Sequence, residues 1–352
     1  MTDRFDTEGG RRSSWRRLAA FGLLFVLLTS AGLYTVYHRF AGRTLTFDDR
    51  LLQPGTLLAL LALLLVYFLA DGLRLHFTLR ALGHRLSFRA MVRLVFINLF
   101  VSNVTPMATG GGFAQVWYLA RHGVPVGRAT AATTIRTVLA VAFIFSLTPL
   151  FLFTLKALER TSISHQVGLA LAVFITLYLG FFTVLLLRTR WLVTPLSRLL
   201  TGLRRLHLIS ARRHDRWQFR CRREVLRFAA SFRDYLKGRP RYVLLSILCT
   251  AVFLLALFSF PALLMHSLGY PVDYLSTLGL LVVTTFIMYF SPTPGASGIS
   301  EGVFGSFFRG LLSGNHLLLV TLAWRFLTIY LGMVIGLFVL QRELTRTPRR
   351  SE

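Results

Sequence analysis

The sequence is poor in cysteine, lysine and acidic residues, and the shortages of cysteine and of acidic residues each exclude a class of site. Only Cys221 and Cys249 occur among 352 residues, one in a basic stretch and the other in an apolar run. Cysteines placed in this way match neither a disulfide framework nor a zinc-ligand spacing. Lysine occurs only at Lys156 and Lys237, and 14 acidic residues stand against 40 basic ones. Arginine therefore carries the charge, and the sequence offers no carboxylate group spaced for a metal site or for paired acid-base catalysis.

The sequence is instead rich in long apolar runs. Hydrophobic residues make up 54% of the chain, and several runs approach 20 residues. That length crosses a hydrocarbon core of about 30 Å as a helix. The sequence predicts an all-α polytopic membrane protein with about six full spans, at 18–37, 55–79, 129–154, 167–187, 242–265 and 317–340.

The distribution of charge predicts the topology. Segment 188–241 holds 16 basic and three acidic residues, which is half of the net charge of +26. A cytoplasmic N-terminus and four preceding spans place this segment in the cytoplasm, as the positive-inside rule requires. No recognised nucleic-acid module or stacking pattern accompanies the charge, so nucleic acid is not an expected partner. We expect a multi-pass protein of the cytoplasmic (inner) membrane with both termini in the cytoplasm.

Two interruptions of the apolar pattern have matched spacing. They are 103-NVTPMATGGGFAQ-115 and 290-FSPTPGASGISE-301, and each resembles a helical hairpin that enters the membrane and turns back. Counted from the first proline of each, a glycine follows after six residues and a polar side chain after nine. The matched positions are Pro106 with Pro292, Gly112 with Gly298, and Gln115 with Glu301.

Each predicted hairpin is followed by a span that carries one arginine. Arg136 and Arg325 both lie about two helical turns, or roughly 12 Å, from the predicted start of their spans. The charge map makes the first hairpin enter from the cytoplasm and the second from outside, so the two form an inverted repeat. Inverted repeats with broken helices near the bilayer midplane are characteristic of transporters.

These halves define the predicted domains. They are a disordered basic cytoplasmic tail (1–16), a first membrane half (17–187) with hairpin 92–121, a basic cytoplasmic loop (188–241), a second membrane half (242–341) with hairpin 274–310, and a cytoplasmic tail (342–352).

The chemistry of the breaks predicts an anion site. A helix that begins after a break directs unpaired N–H groups and its positive dipole end into the protein, and planar guanidinium groups suit phosphate oxygens. A lipid headgroup phosphate fits best. The predicted lipid- or anion-binding residues are Gly110, Gly111, Gly112, Gln115, Arg136, Gly295, Gly298, Glu301 and Arg325, with Asp71, Arg74, Pro106, Pro292 and Pro294 in support. We predict no catalytic residue, metal ligand or cofactor.

Each feature also has a plainer interpretation. Glycine and proline in membrane helices often serve close packing or kinks, and a single arginine can extend to the interface. Glu301 fits either a structural pair with Arg325 or a proton-coupling role. Asp71 and Arg74, spaced i,i+3, fit an internal ion pair. The repetition of the pattern favours the functional interpretation.

The sequence resembles the lysylphosphatidylglycerol synthase transmembrane family, also called flippase-like or UPF0104 membrane proteins. The resemblance covers nearly the whole chain from the second span onward. It is carried by 71-DGLRLHFTLRALGHRLSFRA-90, 105-TPMATGGGFAQVWYLARHGVPVGRATAATTIR-136, 291-SPTPGASGISEG-302 and 323-AWRFLTIYLG-332. It implies a domain that moves aminoacylated phosphatidylglycerol between leaflets, or a stand-alone relative acting in polyprenyl-phosphate or glycolipid pathways. The soluble transferase domain of the two-part synthases is not expected here.

The sequence therefore favours a lipid flippase or transporter for an anionic phospholipid, an aminoacyl-phospholipid or a polyprenyl-phosphate or glycolipid. One alternative is a membrane-embedded glycosyl or aminoacyl transferase that modifies a lipid. Against it, Glu301 and Asp71 are the only material for acid-base chemistry. Another alternative is a non-transporting partner that holds a separate lipid synthase at the membrane through segment 188–241.

Overall fold

A computed structural model describes residues 46–154 and 230–345, with scattered single positions outside these ranges. The described part is helical and contains no strand. Its helices are α1 (Pro54–Ala81), α2 (Phe88–Val104), α3 (Thr109–Arg121), α4 (Val126–Thr154), α5 (Pro240–Ser267), α6 (Tyr274–Tyr289), α7 (Ile299–Phe308), α8 (Gly314–Arg325) and α9 (Leu331–Thr345). A π-helical turn, Phe326–Tyr330, joins α8 to α9.

Four helical units are long and apolar enough to cross a membrane: α1, α4, α5 and the joined α8 and α9. They correspond to four of the six predicted spans, and the predictions for 18–37 and 167–187 lie outside the described residues. The prediction of an all-α polytopic membrane protein is confirmed.

Local sequence explains where the helices begin and end. Pro54 and Pro240 stand in the first turns of α1 and α5, where a missing N–H removes no helical hydrogen bond. Gly83, with φ of +83°, ends α1 in a left-handed conformation that favours glycine. Asp273 caps α6, and the hydroxyl of Ser276 donates to this carboxylate and lowers the pKa of Asp273 below its usual range.

The loops between the helices gather at two ends of the molecule, of which one is strongly basic. At this basic end, Arg128 Nη1 lies 2.9 Å from Asp234 Oδ2, and the guanidinium of Arg121 donates to the carbonyl of Glu343. In the described part of the chain, the cations of this end include Arg80, Arg85, Arg89, Arg93, Arg121, Arg128, Arg233, Lys237, Arg239, Arg241 and Arg342. Asp234 and Glu343 are its acidic residues in the described part of the chain.

Among the described residues, the opposite end is close to neutral. There Arg50 Nη1 donates to the carbonyl of Leu268 at 2.8 Å, and His316 Nε2 lies 3.2 Å from Asp48 Oδ2. The charged residues of this end within ranges 46–154 and 230–345 are Asp48, Asp49, Arg50, Asp273 and Arg309. The contrast between the ends follows the positive-inside pattern.

The two predicted hairpins enter from opposite ends. Helices α2 and α3 leave the basic end and return to it, whereas α6 and α7 leave the opposite end and return there. Their longest helix, α2, has 17 residues, which is about 25 Å and shorter than a hydrocarbon core of about 30 Å. The breaks at Pro106–Ala108 and Pro294–Ala296 contact each other, with Cα atoms within 8 Å. The two breaks therefore lie side by side, the second one largely buried and the first one exposed at Met107 and Ala108.

Two hydrophobic clusters hold these elements together. The larger one lies between α1, α4, α5, α6, α7 and α8. It includes the stacked rings of Phe304 and Trp324, whose centres are 5.0 Å apart. The smaller one fills the basic half between α1, α2, α3 and the start of α4. The outward faces of the spans are also apolar, as in the exposed residues Leu58, Leu61 and Leu65 of α1. Such a surface suits contact with lipid chains.

Candidate functional site

The two breaks have the same backbone conformation. Pro106–Ala108 and Pro294–Ala296 are each a three-residue 3₁₀ turn that begins with proline. The second and third residues of both turns have φ between +53° and +56°, in the left-handed region. Non-glycine residues adopt that conformation only where the surrounding structure holds them. The matching conformation is a structural basis for the repeat.

This conformation corrects the register that the sequence spacing suggested. Pro106 corresponds to Pro294 and not to Pro292, which precedes the second turn by two residues. In the corrected register, Arg136 and Arg325 follow their prolines by 30 and 31 residues. The error arose because α7 begins two residues later after its turn than α3 does. Gln115 and Glu301 both follow the first proline by nine residues, and this equal spacing concealed the two-residue difference in where the turns begin.

The two arginines lie deeper than the predicted 12 Å. Helices α4 and α8 both begin three residues earlier than expected, so Arg136 and Arg325 are ten and eleven residues from the helix starts. That spacing is about 15 to 17 Å, close to the middle of a bilayer. Arg136 is 6% exposed and Arg325 is 0% exposed. Neither side chain extends to the surface, so the interfacial interpretation is excluded.

A cluster of buried polar side chains, here called the Asp71 cluster, joins α1, α2, α3 and α4. Its members are Asp71, Arg74, Asn98, Gln115 and Arg136. Asp71 Oδ1 accepts from Arg74 Nε at 2.8 Å and from Arg136 Nη2 at 2.5 Å. Arg136 Nη1 donates to Gln115 Oε1 at 3.0 Å, and Gln115 Nε2 donates to Asn98 Oδ1 at 2.6 Å.

Sequence reasoning found four of these five residues but not their connection. Asp71 and Arg74 were expected to form a separate ion pair, which exists, but Asp71 also binds Arg136 from a helix 65 residues away. Asn98 was missed. The signal for Asn98 was available, because it is the one amide within the apolar segment 94–101.

A second cluster, here called the Glu301 cluster, holds the other break. Arg325 Nε lies 2.8 Å from Glu301 Oε1, and Arg325 Nη2 donates to the carbonyl of Gly295 at 3.0 Å. The other carboxylate oxygen of Glu301 accepts from the N–H of Gly298 at 2.7 Å and from the hydroxyl of Ser300 at 2.8 Å. Glu301 thus caps the start of α7 and neutralises Arg325 at the same time. The structural pairing of these two residues is present.

The clusters differ in their balance of charge. The Glu301 cluster has one carboxylate and one guanidinium, both fully buried. The Asp71 cluster has two guanidiniums on one carboxylate, and all three side chains are buried. Among the described residues, no second acidic side chain contacts it, so one positive charge remains in surplus. A surplus charge at membrane depth is costly, and an anion would offset it.

Comparison with known proteins agrees with this architecture. The family model for the lysylphosphatidylglycerol synthase TM region matches residues 17–336. The chain belongs to this family. A relative from Archaeoglobus fulgidus, described as a UPF0104 membrane protein, is 24% identical over 326 residues, covering 91% of this chain and 97% of the relative. The family resemblance of the sequence motifs is thereby confirmed.

In this member of the synthase TM family, one hydrogen bond links the two arginine-bearing regions. Tyr67 Oη donates to the carbonyl of Thr328 at 3.3 Å, within the π-helical turn that follows Arg325. Tyr67 precedes Asp71 by one helical turn on α1. A π-helical turn changes the usual backbone pairing, and such turns are frequent at functional sites. Nothing in the sequence pattern indicates this contact.

The glycines of the first break have two different environments. A Cβ on Gly110 would lie 2.5 Å from Thr105 Cγ2, and one on Gly111 would lie 1.8 Å from Ser102 Oγ. Close packing of α3 on α2 therefore accounts for both. A Cβ on Gly112 would meet only Thr133 Cγ2, at 3.9 Å. Gly112 alone among the three has room at its Cβ position.

Proposed function

We propose that the protein moves an anionic lipid between the leaflets of the membrane, with the lipid phosphate bound at the Asp71 cluster. The surplus positive charge of that cluster, buried at mid-depth, is the observation that carries the proposal. Of the candidate substrates, the anionic phospholipid, the aminoacyl-phospholipid and the polyprenyl-phosphate each contain a phosphate, and a glycolipid fits this site only where a phosphate links its sugar to the lipid. Membership of the synthase TM family supports this choice of substrate class.

The proposed binding step is an exchange of carboxylate for phosphate. Asp71 bridges Arg74 and Arg136 through its Oδ1 atom. A phosphate that approaches Arg136 takes over its Nη2 donor, while Asp71 keeps its bonds to Arg74. A phosphodiester carries one negative charge, so its binding changes the net charge of the cluster from +1 to zero.

The opposed hairpins supply the proposed route. Each hairpin begins and ends at one end of the molecule, and the two breaks contact each other. Rocking one half against the other exposes a central site to each side in turn, as in other transporters built from inverted repeats. We place the basic end in the cytoplasm of an inner membrane and expect a separate lipid synthase as a supplier of substrate.

Reconstitution tests the proposal. Purified protein in liposomes with a fluorescent phosphatidylglycerol in one leaflet is expected to speed leaflet exchange over protein-free liposomes. Arg136→Lys keeps the charge but loses the planar guanidinium that can bind two phosphate oxygens at once. It is expected to lower the rate of leaflet exchange about tenfold or more. Arg89→Gln, which removes an exposed cation from the basic end, is the matched control and is expected to leave the rate unchanged.

Two results would contradict the proposal. The first is leaflet exchange that stays at the protein-free rate across a broad panel of anionic lipids. The second is steady formation of a modified lipid by the purified protein with a soluble donor, which would identify a transferase. Mass spectrometry of lipids that co-purify with the protein identifies the substrate directly.

A further inference from the structure

A cavity of about 400 Å³ lies at the basic end, between the end of α1 and the start of α5. Arg80 lines it and follows Asp71 by nine residues on α1, about 13 Å along the helix axis. The cavity is therefore separate from the Asp71 cluster. Its size falls within the range of small-ligand sites, about 300 to 1,000 Å³.

The charged side chains that line this cavity are all basic. Its charged and aromatic residues are Arg80, His84, Arg85, Lys237, Arg239 and Tyr242, and no carboxylate belongs to it. None of its arginines or its lysine forms an ion pair with an acidic residue of the described chain. The nearby carboxylate of Asp234 is taken by Arg128 at 2.9 Å. Four cations thus converge where no described residue balances them.

Arg80 lies in the cavity wall, and aromatic contacts hold its guanidinium in place. Its guanidinium carbon lies 5.6 Å above the centre of the Tyr242 ring, which stacks in turn on Phe77 at 6.4 Å. Arg80 Nε is buried and makes no hydrogen bond to the described residues. Arg85, Lys237 and Arg239 are exposed and surround this fixed cation. A fixed donor with exposed cations around it is typical of phosphate recognition.

The backbone favours the same kind of ligand. Gly238 packs on the carbonyl of Ala81, since a Cβ there would lie 2.4 Å from that oxygen. This contact brings the start of α5, with its positive dipole end, beside the end of α1. The carbonyls of Thr78, Leu79 and Arg80 accept from the capping N–H groups after α1. Those three acceptors are already used, which lessens the negative character of the α1 terminus.

We propose that this cavity is a second anion site, one that binds a group with at least two negative charges, such as a diphosphate or a phosphomonoester. The ligand is either the headgroup of a lipid at the membrane surface or a soluble phosphate compound. The proposal goes beyond lipid movement and holds whether or not the Asp71 cluster transports anything.

Binding of inorganic pyrophosphate tests the site without any transport step. The full chain is placed in nanodiscs of phosphatidylcholine and titrated with pyrophosphate by calorimetry. The triple variant Arg85→Gln, Lys237→Gln, Arg239→Gln is expected to weaken binding about tenfold or more, because three charge-assisted contacts are lost. The control triple Arg89→Gln, Arg233→Gln, Arg241→Gln removes equal charge from the same end outside the cavity, and is expected to change affinity less than about threefold.

A second arm separates the two sources of the ligand. Native mass spectrometry measures retention of phosphatidic acid by the same three proteins, with phosphatidylcholine as the neutral reference. Selective loss of phosphatidic acid from the cavity triple supports a lipid headgroup, and selective loss of pyrophosphate alone supports a soluble compound. Equal weakening in both triples, or no saturable binding of either anion to the unaltered protein, would overturn the proposal. Thermal unfolding of each variant verifies that its fold is intact.

Discussion

At the scale of single residues, Arg136 and Arg325 occupy matching places in the repeat but meet different partners. Arg325 is neutralised by Glu301 and also holds the carbonyl of Gly295, so it stabilises its own break. Arg136 instead shares Asp71 with Arg74, and its other hydrogen bond goes to Gln115 of α3 and not to a break. Arg325 therefore fits a structural role, and Arg136 fits a role in binding.

This difference predicts how the Glu301 cluster responds to substitution. Glu301→Gln leaves the fully buried Arg325 without its countercharge and is expected to destabilise the protein by about 3 kcal/mol. Replacing both residues, as Glu301→Gln with Arg325→Met, removes the unpaired charge and is expected to recover part of that loss. Thermal unfolding in detergent measures both. A double variant less stable than Glu301→Gln alone would contradict the assignment.

At the scale of helices, α9 packs on α2 through two glycines spaced as in small-xxx-small motifs. A Cβ on Gly336 would lie 2.1 Å from the backbone carbonyl oxygen of Phe96. A Cβ on Gly332 would lie 2.7 Å from Leu99 Cδ1, the end of a flexible side chain. Backbone cannot move aside as a side chain can, so the two glycines are not equivalent.

The two glycines of α9 therefore form a matched test of packing. Gly336→Ala is expected to cost about 2 to 3 kcal/mol through overpacking, whereas Gly332→Ala costs less than about 1 kcal/mol. Chemical unfolding in mixed micelles gives both values. Equal losses would mean that α9 and α2 are not in the contact described.

The glycines of the first break separate packing from ligand access. Gly111→Ala clashes with Ser102 and is expected to lower stability and lipid movement together. Gly112→Ala has room for its methyl group, so the protein is expected to stay folded. A fall in leaflet exchange for Gly112→Ala at unchanged stability supports approach of the lipid to this position. An unchanged rate of leaflet exchange would show that Gly112 takes no part in lipid binding.

Sequence reasoning succeeded with features that repeat and failed with contacts that cross the fold. Apolar length and charge asymmetry predicted the four described spans, because burial in lipid imposes both patterns. The bond between Asp71 and Arg136 could not be predicted, since it depends on how α1 packs against α4. The two-residue shift from Pro292 to Pro294 depends on backbone angles, which residue spacing does not encode.

At the scale of the whole molecule, the charge contrast between the two ends predicts orientation. In a variant without Cys221 and Cys249, Gly83→Cys at the basic end is expected to react only with a reagent that reaches the cytoplasm. Gly269→Cys at the opposite end is expected to react with an impermeant reagent added to whole cells. Both glycines lie in loops at φ of +83° and +81°, so each cysteine is expected to cost some stability, and thermal unfolding verifies that the labelled variants remain folded. Reversed labelling would invert the topology and the proposed direction of access.

The unequal charge of the two clusters has an electrical consequence. In the proposed cycle, the Asp71 cluster without lipid would carry one net positive charge through the membrane field, and the cluster with a monoanionic phosphodiester bound would carry none. Moving one charge through 100 mV changes the free energy by about 2.3 kcal/mol. A potassium diffusion potential across liposomes is therefore expected to alter the return of the unloaded protein and to leave the loaded step unaffected. Membrane voltage would then set how often the carrier resets.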